Sequence, residues 1–339
     1  MNKEGLFTTI VGSFPLQNNM ENMKKAFIDE IEAGIDYVCY PQLVNMNAQF
    51  LKPLSELIDA IKIENKKFYL VDEFKAPKKL IALEYGQFII DFFEKNPEMK
   101  SKIKGTKACL TGPFTLASEL ILRGKIADNV DTRIFKEPRG VVVDWIVEEL
   151  AELMKNIGEA YNSMGIDIIS MDEPILGVLV GRKSYFYDED FIIEMLNKAL
   201  SGIREFPSIH VCGNVSPLLR DILLKTDVKI LDHEFKTNER NFEIFQRKHF
   251  ENTDKYLAMG VVQTNVSSKG SKNISDYVES VEEIKNFIEK GIKIYGKENL
   301  VIKPDCGFGG LRGTFKEAFA YEIAINKLKN MVKAVKELE

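Results

Sequence analysis

Two hydrophobic patterns alternate along the chain. Short runs of apolar and β-branched residues are followed by longer segments in which apolar residues recur every three or four positions, and this alternation is typical of βα units. Eight such runs predict strands at residues 8–12, 36–39, 106–110, 167–171, 208–211, 229–231, 256–262 and 300–303. The clearest helical patterns cover residues 141–164, 276–289 and 315–336, each with an apolar stripe opposite a charged face.

Eight βα units in succession indicate an α/β protein whose strands close into a (β/α)8 TIM barrel. Residues 54–93 do not fit this count, since 67–71 predict an extra strand and 77–93 an extra helix. We interpret this segment as an insertion after the second strand. No Ser/Gly-rich or Pro-rich linker divides the chain, so we expect residues 1–339 to form a single barrel domain with its active site at the carboxyl ends of the strands.

Composition narrows the class of partner. The chain has 339 residues, a net charge of -5 and 45% hydrophobic residues, and its lysines are scattered among glutamates. Such a surface offers no continuous positive face, which argues against nucleic acid and favours a small-molecule ligand. No apolar run approaches the ~18 residues of a membrane helix, and the four cysteines lie far apart. We therefore expect a cytoplasmic protein with reduced thiols and no membrane partner.

Metal-ligating residue types stand at the ends of three predicted strands. His210 and Cys212 are two positions apart, so both should point into the barrel, while Glu234 follows the next strand and Cys306 follows the last. One imidazole, two thiolates and one carboxylate are ligands that Zn²⁺ takes, and their wide spacing is typical of a catalytic site. The sequence therefore predicts a zinc site in the barrel mouth. His233 is an alternative ligand, but alternation directs it away from Glu234.

Two acids end a very apolar strand. Asp172 continues the inward register of Ser170, so we expect its carboxylate to face the barrel mouth, where it could hold a substrate ammonium group. Glu173 precedes Pro174 in a predicted turn and is equally consistent with a surface position.

The motifs at the strand ends also resemble those of a known family. They read TIVGSFP at 9–15, LTGPFT at 110–115, MDEP at 171–174, HVC at 210–212 and PDCG at 304–307. This order is similar to that in cobalamin-independent methionine synthases, and the chain resembles their catalytic C-terminal barrel alone. The wider superfamily includes uroporphyrinogen decarboxylase and the zinc methyltransferases that act on coenzyme M.

The resemblance implies a zinc-dependent methyltransferase that converts homocysteine into methionine. It implies that His210, Cys212, Glu234 and Cys306 are the zinc ligands, with Glu234 the ligand that loosens when the substrate sulfur arrives. It also places two groups on homocysteine: Ser13 on the amino-acid part and Asp172 on the ammonium group.

The sequence departs from the family pattern at two places. Gln263-Thr264-Asn265 stands where the long enzymes have a histidine, and residues 42–50 contain no acid to help hold the homocysteine ammonium group. With the absent N-terminal half and the coenzyme M-type Cys-Gly-Asn turn, these departures favour methylcobalamin or a methylated corrinoid protein as donor over methyltetrahydrofolate or methyltetrahydropterin.

Other interpretations stay open at this point. The acceptor could be another small thiol such as coenzyme M. The chain could also be a non-catalytic zinc-binding or corrinoid-binding protein. A porphyrinogen decarboxylase needs no metal and would leave His210, Cys212 and Cys306 without a role.

Overall fold

A parallel β-barrel forms the centre of the molecule, which we describe from a computed structural model for residues 5–339. The described residues form eleven strands: β1 (Phe7–Thr8), β2 (Tyr37–Cys39), β3 (Ile61–Glu64), β4 (Lys67–Leu70), β5 (Gly105–Thr111), β6 (Leu120–Leu122), β7 (Ile168–Asp172), β8 (Phe206–Val211), β9 (Ile230–His233), β10 (Tyr256–Gly260) and β11 (Leu300–Lys303). Eight of them pair in the order β1-β11-β10-β9-β8-β7-β5-β2, all parallel. A bridge between Thr9 and Tyr37 joins the two edge strands, which confirms the predicted barrel.

Helices follow the strands and cover the outside of the barrel. They are α1 (Met20–Ala33), α2 (Met46–Leu57), α3 (Glu84–Lys95), α4 (Pro97–Lys100), α5 (Pro113–Glu119), α6 (Asp144–Ser163), α7 (Leu176–Leu179), α8 (Glu189–Leu200), α9 (Pro217–Lys225), α10 (Asn241–Ile244), α11 (Val281–Tyr295) and α12 (Glu317–Lys336). Among residues 5–339, no helix has both the length and the apolar character of a membrane span.

One predicted helix begins later than its apolar pattern suggests. We predicted a helix at 276–289, whereas α11 covers Val281–Tyr295. The helix begins at Val281 because Ser280 caps its first turn. The Ser280 hydroxyl accepts a hydrogen bond from the Glu283 backbone amide, and the Glu283 carboxylate accepts one from the Ser280 backbone amide. This reciprocal capping box satisfies two backbone donors and therefore sets the first turn.

The insertion after β2 contributes two of the three strands of a second, smaller sheet. Strands β3 and β4 form an antiparallel hairpin, and β6 pairs with β4 in parallel. The predicted strand at 67–71 is β4, whereas β3 and β6 were not predicted. The predicted helix at 77–93 begins only at Glu84, after Ala82 takes a left-handed conformation with φ 57°. A left-handed residue cannot continue a right-handed helix, so the seven residues before Glu84 stay irregular.

The barrel interior changes character along the strands. Near the amino ends, a buried apolar cluster fills the interior; it consists of Phe7, Tyr37, Ile168, Ile230, Tyr256, Ala258 and Val301. Further along β5, β9 and β11, the inward positions are Lys107, Asp232 and Lys303, each at most 1% exposed. The Asp232 carboxylate lies 2.6 Å from Lys303 Nζ and 3.6 Å from Lys107 Nζ. A charged layer therefore lies between the apolar cluster and the barrel mouth.

Candidate active site

Three of the predicted metal ligands come together at the carboxyl ends of β8 and β11. The ligand atoms of His210, Cys212 and Cys306 all lie within 4.8 Å of one another. His210 Nε2 is 3.0 Å from Cys212 Sγ, and the two sulfur atoms are 3.4 Å apart. The barrel brings Cys306 to a cysteine that lies 94 residues earlier in the chain. This set of atoms has the composition of a metal site.

The imidazole of His210 is oriented from its other side. Its Nδ1 lies 2.6 Å from Asp232 Oδ1, so Nδ1–H donates to a carboxylate and Nε2 is left facing the thiols. Burial alone would raise the pKa of Asp232, but Lys303 and His210 hold this pKa below its ordinary value. Asp232 is therefore an ionised anchor for the ring. Its position one strand away gave no direct signal in the sequence.

The two thiols of the cluster differ in acidity. A hydrogen bond from Cys212 and the neighbouring His210 together lower the pKa of Cys306 well below its ordinary value, although burial opposes this. One sulfur of the pair therefore carries negative charge readily, as a thiolate ligand of a metal ion must.

Glu234 lies beside this cluster but outside it. Its side chain is half-buried in the loop directly after β9, and its carboxylate accepts a hydrogen bond from Asn238 Nδ2. Burial and the nearby Cys306 raise the pKa of Glu234. The structure thus groups His210, Cys212 and Cys306 by direct contact and places the fourth predicted ligand in the adjoining loop.

The residue before Cys306 shapes the Glu234 loop. The buried carboxylate of Asp305 accepts hydrogen bonds from the backbone amides of Phe235 and Lys236 at 2.9 Å each, and from Thr237 at 2.6 Å. Asp305 therefore joins the loop after β11 to the loop after β9. No local pattern in the sequence indicated this role of Asp305, since its three partners lie about 70 positions earlier in the chain.

Asp172 faces the barrel mouth next to His210, its partner in the β7–β8 register. It is 5% exposed, and its Oδ1 has no hydrogen-bond partner among the described residues. Burial raises the pKa of Asp172 to about 7, while His210 and Lys107 oppose that shift. A buried carboxylate oxygen without a partner costs free energy unless a donor reaches it. This oxygen is suited to a cationic group of a ligand.

Glu173 points in the opposite direction and has a structural part. Its carboxylate accepts hydrogen bonds from the backbone amides of Phe114 and Thr115 at 3.0 and 2.9 Å, and from the Thr115 hydroxyl at 2.6 Å. It thereby satisfies the free amides at the start of α5. A Cβ on Gly112 would overlap the Glu173 carboxyl group, so the contact needs a glycine there. Glu173 is buried, not a surface acid.

Ser13 connects two loops at the mouth. Its hydroxyl accepts a hydrogen bond from the backbone amide of Gly309 at 3.2 Å, and its carbonyl accepts one from Phe308 at 2.8 Å. A cavity of about 330 Å³ lies beside these contacts and is lined in part by Ser13, Gln42 and Arg312. Ser13 therefore lies in a loop that packs against the segment directly after Cys306.

His233 is a packing residue in the core. Its ring stacks on Phe245 at a centroid distance of 5.2 Å, and its Nδ1 lies 3.2 Å from the Val211 carbonyl oxygen. Burial lowers the pKa of His233 to about 3, so the ring is neutral. The alternation along β9 that directs Asp232 inward directs His233 outward.

The protein combines a (β/α)8 barrel with an imidazole and two thiols at the carboxyl ends of its strands. This combination is that of a barrel enzyme with a candidate metal site. Residues 97–337 match the family of the cobalamin-independent synthase catalytic domain. The methionine synthase of Methanocaldococcus jannaschii is 30% identical, over 98% of this chain and 99% of its own. That of Methanothermobacter marburgensis is 26% identical, over 98% and 100%. The chain belongs to the cobalamin-independent methionine synthase family and is a methyltransferase.

Solved structures share the fold. The B12-independent methionine synthase from Shewanella sp. W3-18-1 superposes with a TM-score of 0.68 at 16% identity, and the match covers 98% of both chains. A methyltransferase from Methanosarcina mazei superposes with a TM-score of 0.61 at 17% identity, covering 99% of this chain and 94% of the other. Both comparisons agree with the barrel seen here.

The family corrects our prediction of the methyl donor. We predicted methylcobalamin or a methylated corrinoid protein as the methyl donor, with the corrinoid protein as a partner. This prediction is wrong because the family is cobalamin-independent. The inference rested in part on the coenzyme M-type Cys-Gly-Asn turn and in part on missing side chains, such as the histidine absent near Gln263. The absence of one side chain from a loop does not define which donor that loop binds. Membership of the family also decides against a porphyrinogen decarboxylase and a non-catalytic protein.

Proposed function

We propose that this enzyme transfers a methyl group from a methyltetrahydrofolate-type donor, a folate or a related tetrahydropterin, to the thiol of homocysteine and so forms methionine. The observation that carries the proposal is the cluster of His210 Nε2, Cys212 Sγ and Cys306 Sγ within 4.8 Å at the barrel mouth. The names of the archaeal relatives, methionine synthase, support the same reaction. The Shewanella synthase was determined in complex with selenomethionine, which supports an amino-acid product.

The donor set fits a zinc ion. Zinc takes nitrogen and sulfur donors, and zinc-bound histidines usually donate their second ring N–H to a carboxylate, as His210 does to Asp232. His210, Cys212 and Cys306 would hold the ion, with Glu234 as the fourth protein ligand. When bound, zinc lowers the pKa of a coordinated thiol and thereby supplies the homocysteine sulfur as a thiolate near neutral pH.

The protein would hold the amino-acid part of homocysteine with other groups. Oδ1 of Asp172, which has no partner among the described residues, would accept a hydrogen bond from the ammonium group, and this charge-assisted contact would keep the carboxylate ionised. Ser13 lies in the loop that packs on the Cys306 segment, where it would contact the amino-acid part. Both groups position the substrate, so neither has to exchange a proton with it.

Glu234 would act as the exchangeable ligand. Its hydrogen bond from Asn238 gives the carboxylate a partner within its own loop. The side chain would therefore keep a hydrogen-bond partner if the homocysteine sulfur displaced it from a bound metal ion. This arrangement keeps the cost of releasing the carboxylate low.

The reaction is a nucleophilic displacement at the methyl carbon. The bond between the methyl group and N5 of the donor breaks while the bond between that methyl group and the homocysteine sulfur forms. The thiol loses its proton before the attack, and N5 takes up a proton as it leaves.

The test is an assay of the purified protein with homocysteine and methyl-labelled donors. We expect labelled methionine from 5-methyltetrahydrofolate or 5-methyltetrahydropterin, and loss of turnover after zinc is removed with a chelator. Failure of both reduced donors in the zinc-loaded protein would overturn the proposal, and so would full activity of a protein shown to contain no metal.

A further inference from the structure

One buried amide joins two loops of the candidate metal site. Asn241 begins α10 and is fully buried. Its Oδ1 accepts a hydrogen bond from the Val215 backbone amide at 3.0 Å, while its Nδ2 donates to the carbonyl oxygens of Gly213 at 3.0 Å and Glu234 at 2.6 Å. Gly213 follows Cys212 directly, so Asn241 contacts the backbone beside two predicted ligands.

We propose that Asn241 is a positioning residue of the metal site, which sets the spacing between the loop that carries Cys212 and the loop that carries Glu234. The inference rests on the zinc site of the proposed function. Asn241 would not touch the metal or the substrate. It acts through the backbone of residues 213 and 234, because its amide group donates hydrogen bonds to both carbonyl oxygens and so fixes the distance between them.

Only an amide satisfies all three backbone groups. An asparagine side chain has an acceptor oxygen and an NH₂ group with two donors, and here the two loops use both functions. An aspartate keeps the acceptor for Val215 but places negative oxygen against two carbonyls. An alanine leaves one buried donor and two acceptors without partners, which native proteins avoid.

A second contact completes the arrangement. Asp305 ties the Cys306 loop to the amides of residues 235–237, on the other side of Glu234. Asn241 therefore spans the Cys212 and Glu234 loops, while Asp305 spans the Glu234 and Cys306 loops. Two buried side chains from outside the ligand set thus relate all three ligand-bearing loops. Residues that orient ligands in this way typically contribute about 10- to 100-fold to metal affinity.

The experiment compares Asn241→Ala and Asn241→Asp with wild type and with Asn299→Ala. Asn299 is a matched control, since it is 1% exposed and donates to the Tyr295 carbonyl oxygen, but precedes β11 at the other end of the barrel. The readouts are the zinc Kd from competition with a chromophoric chelator, the absorption spectrum of the Co²⁺-substituted protein, and the Tm of the metal-free protein.

We expect both Asn241 variants to bind zinc about 10- to 100-fold more weakly and to change the Co²⁺ spectrum, while Asn299→Ala lowers the Tm but leaves the Kd and the spectrum unchanged. Equal zinc affinity and equal spectra in folded Asn241 variants would overturn the inference. A Cys212→Ser variant separates this failure from that of the proposed function. If Cys212→Ser also keeps full zinc affinity, the metal site itself is wrong; if it loses zinc while the Asn241 variants do not, only the positioning role is wrong.

Discussion

The two halves of the barrel interior differ in what they bury. Near the amino ends of the strands, side chains such as Ile168, Ile230 and Val301 form an apolar cluster. Near the carboxyl ends, the same alternation of strand positions buries Lys107, Asp232 and Lys303, followed by the thiol and imidazole groups. Apolar burial stabilises a fold at about 25 cal/mol per Å² removed from water, whereas each buried charge costs free energy unless it is paired.

The comparison separates stability from chemistry within one barrel. Replacing a buried ion pair by apolar side chains is often neutral or stabilising, so stability alone does not explain Asp232 and its lysines. Asp232 contacts His210 directly, and its charge there orients the ring. We therefore expect substitutions near the carboxyl ends of the strands, the upper half, to change mainly binding and turnover. Substitutions near the amino ends, the lower half, should change mainly the free energy of unfolding.

The largest effect should come from the thiols. In Cys212→Ser and Cys306→Ser, we expect zinc affinity and methyl transfer to fall by more than the ~100-fold typical of supporting residues, because a hydroxyl is a poor zinc ligand. Elemental analysis and the methyl-transfer assay measure these losses, and the Tm of the metal-free protein should stay near that of wild type. Cys39→Ala is the control, since Cys39 is fully buried outside the cluster. Full zinc content in the serine variants would contradict the assignment.

Asp172→Asn should act on one substrate group only. Loss of a charge-assisted contact to the ammonium group, worth about 1.5–3 kcal/mol, should raise the homocysteine KM roughly 10- to 100-fold with a smaller change in kcat. A homocysteine analogue without the amino group, 4-mercaptobutyrate, should react equally well with both proteins. Equal losses for the two thiols would instead show that Asp172 serves the fold or the metal site.

The same contact predicts a pH dependence. Burial raises the pKa of Asp172 to about 7, and only the ionised carboxylate attracts an ammonium group. As the pH falls through 7, wild-type KM for homocysteine should rise towards that of Asp172→Asn, so the difference between the two proteins narrows. A difference that stays constant between pH 6 and 8 would exclude titration of Asp172 in this range.

In the lower half, Ile230→Ala should destabilise the fold without changing zinc binding or homocysteine binding. Ile230 is 2% exposed within the apolar cluster, and such a truncation typically costs about 2–5 kcal/mol in free energy of unfolding. Denaturant unfolding of the metal-free protein measures this loss. The zinc Kd and the homocysteine KM of the folded variant should match wild type, and a weaker zinc site would show that the two halves are coupled.

The smallest effect is expected outside the barrel, at the small sheet. Arg123 pairs with Glu64 at 2.8 Å, but both side chains are about half exposed. Exposed ion pairs contribute about 0–1 kcal/mol. Glu64→Gln should therefore lower the free energy of unfolding by at most about 1 kcal/mol and leave zinc binding unaltered. A larger loss would mean that the small sheet contributes to barrel stability through this pair.

The sequence by itself determined the order of strands and helices in the barrel. Strand and helix periods are local properties, so the eight predicted strands lie within a few residues of the observed ones. Alternation also placed Asp172, His210 and Cys212 on the inward face, since a side chain two positions along a strand returns to the same side. The insertion was less predictable, because its exposed hairpin strand β3 buries little and has only a weak apolar pattern.

Only the tertiary structure decided which partners those inward residues have. Asp232 on His210, Glu173 on α5, and Asp305 on the Glu234 loop all contact residues 22 to 70 positions away. Such contacts depend on how neighbouring strands are staggered and how the barrel closes, which no local period encodes. Polar residues after a strand look alike in sequence, whereas the structure shows that the Glu173 carboxylate caps a helix and that Asp172 Oδ1 has no hydrogen-bond partner among the described residues.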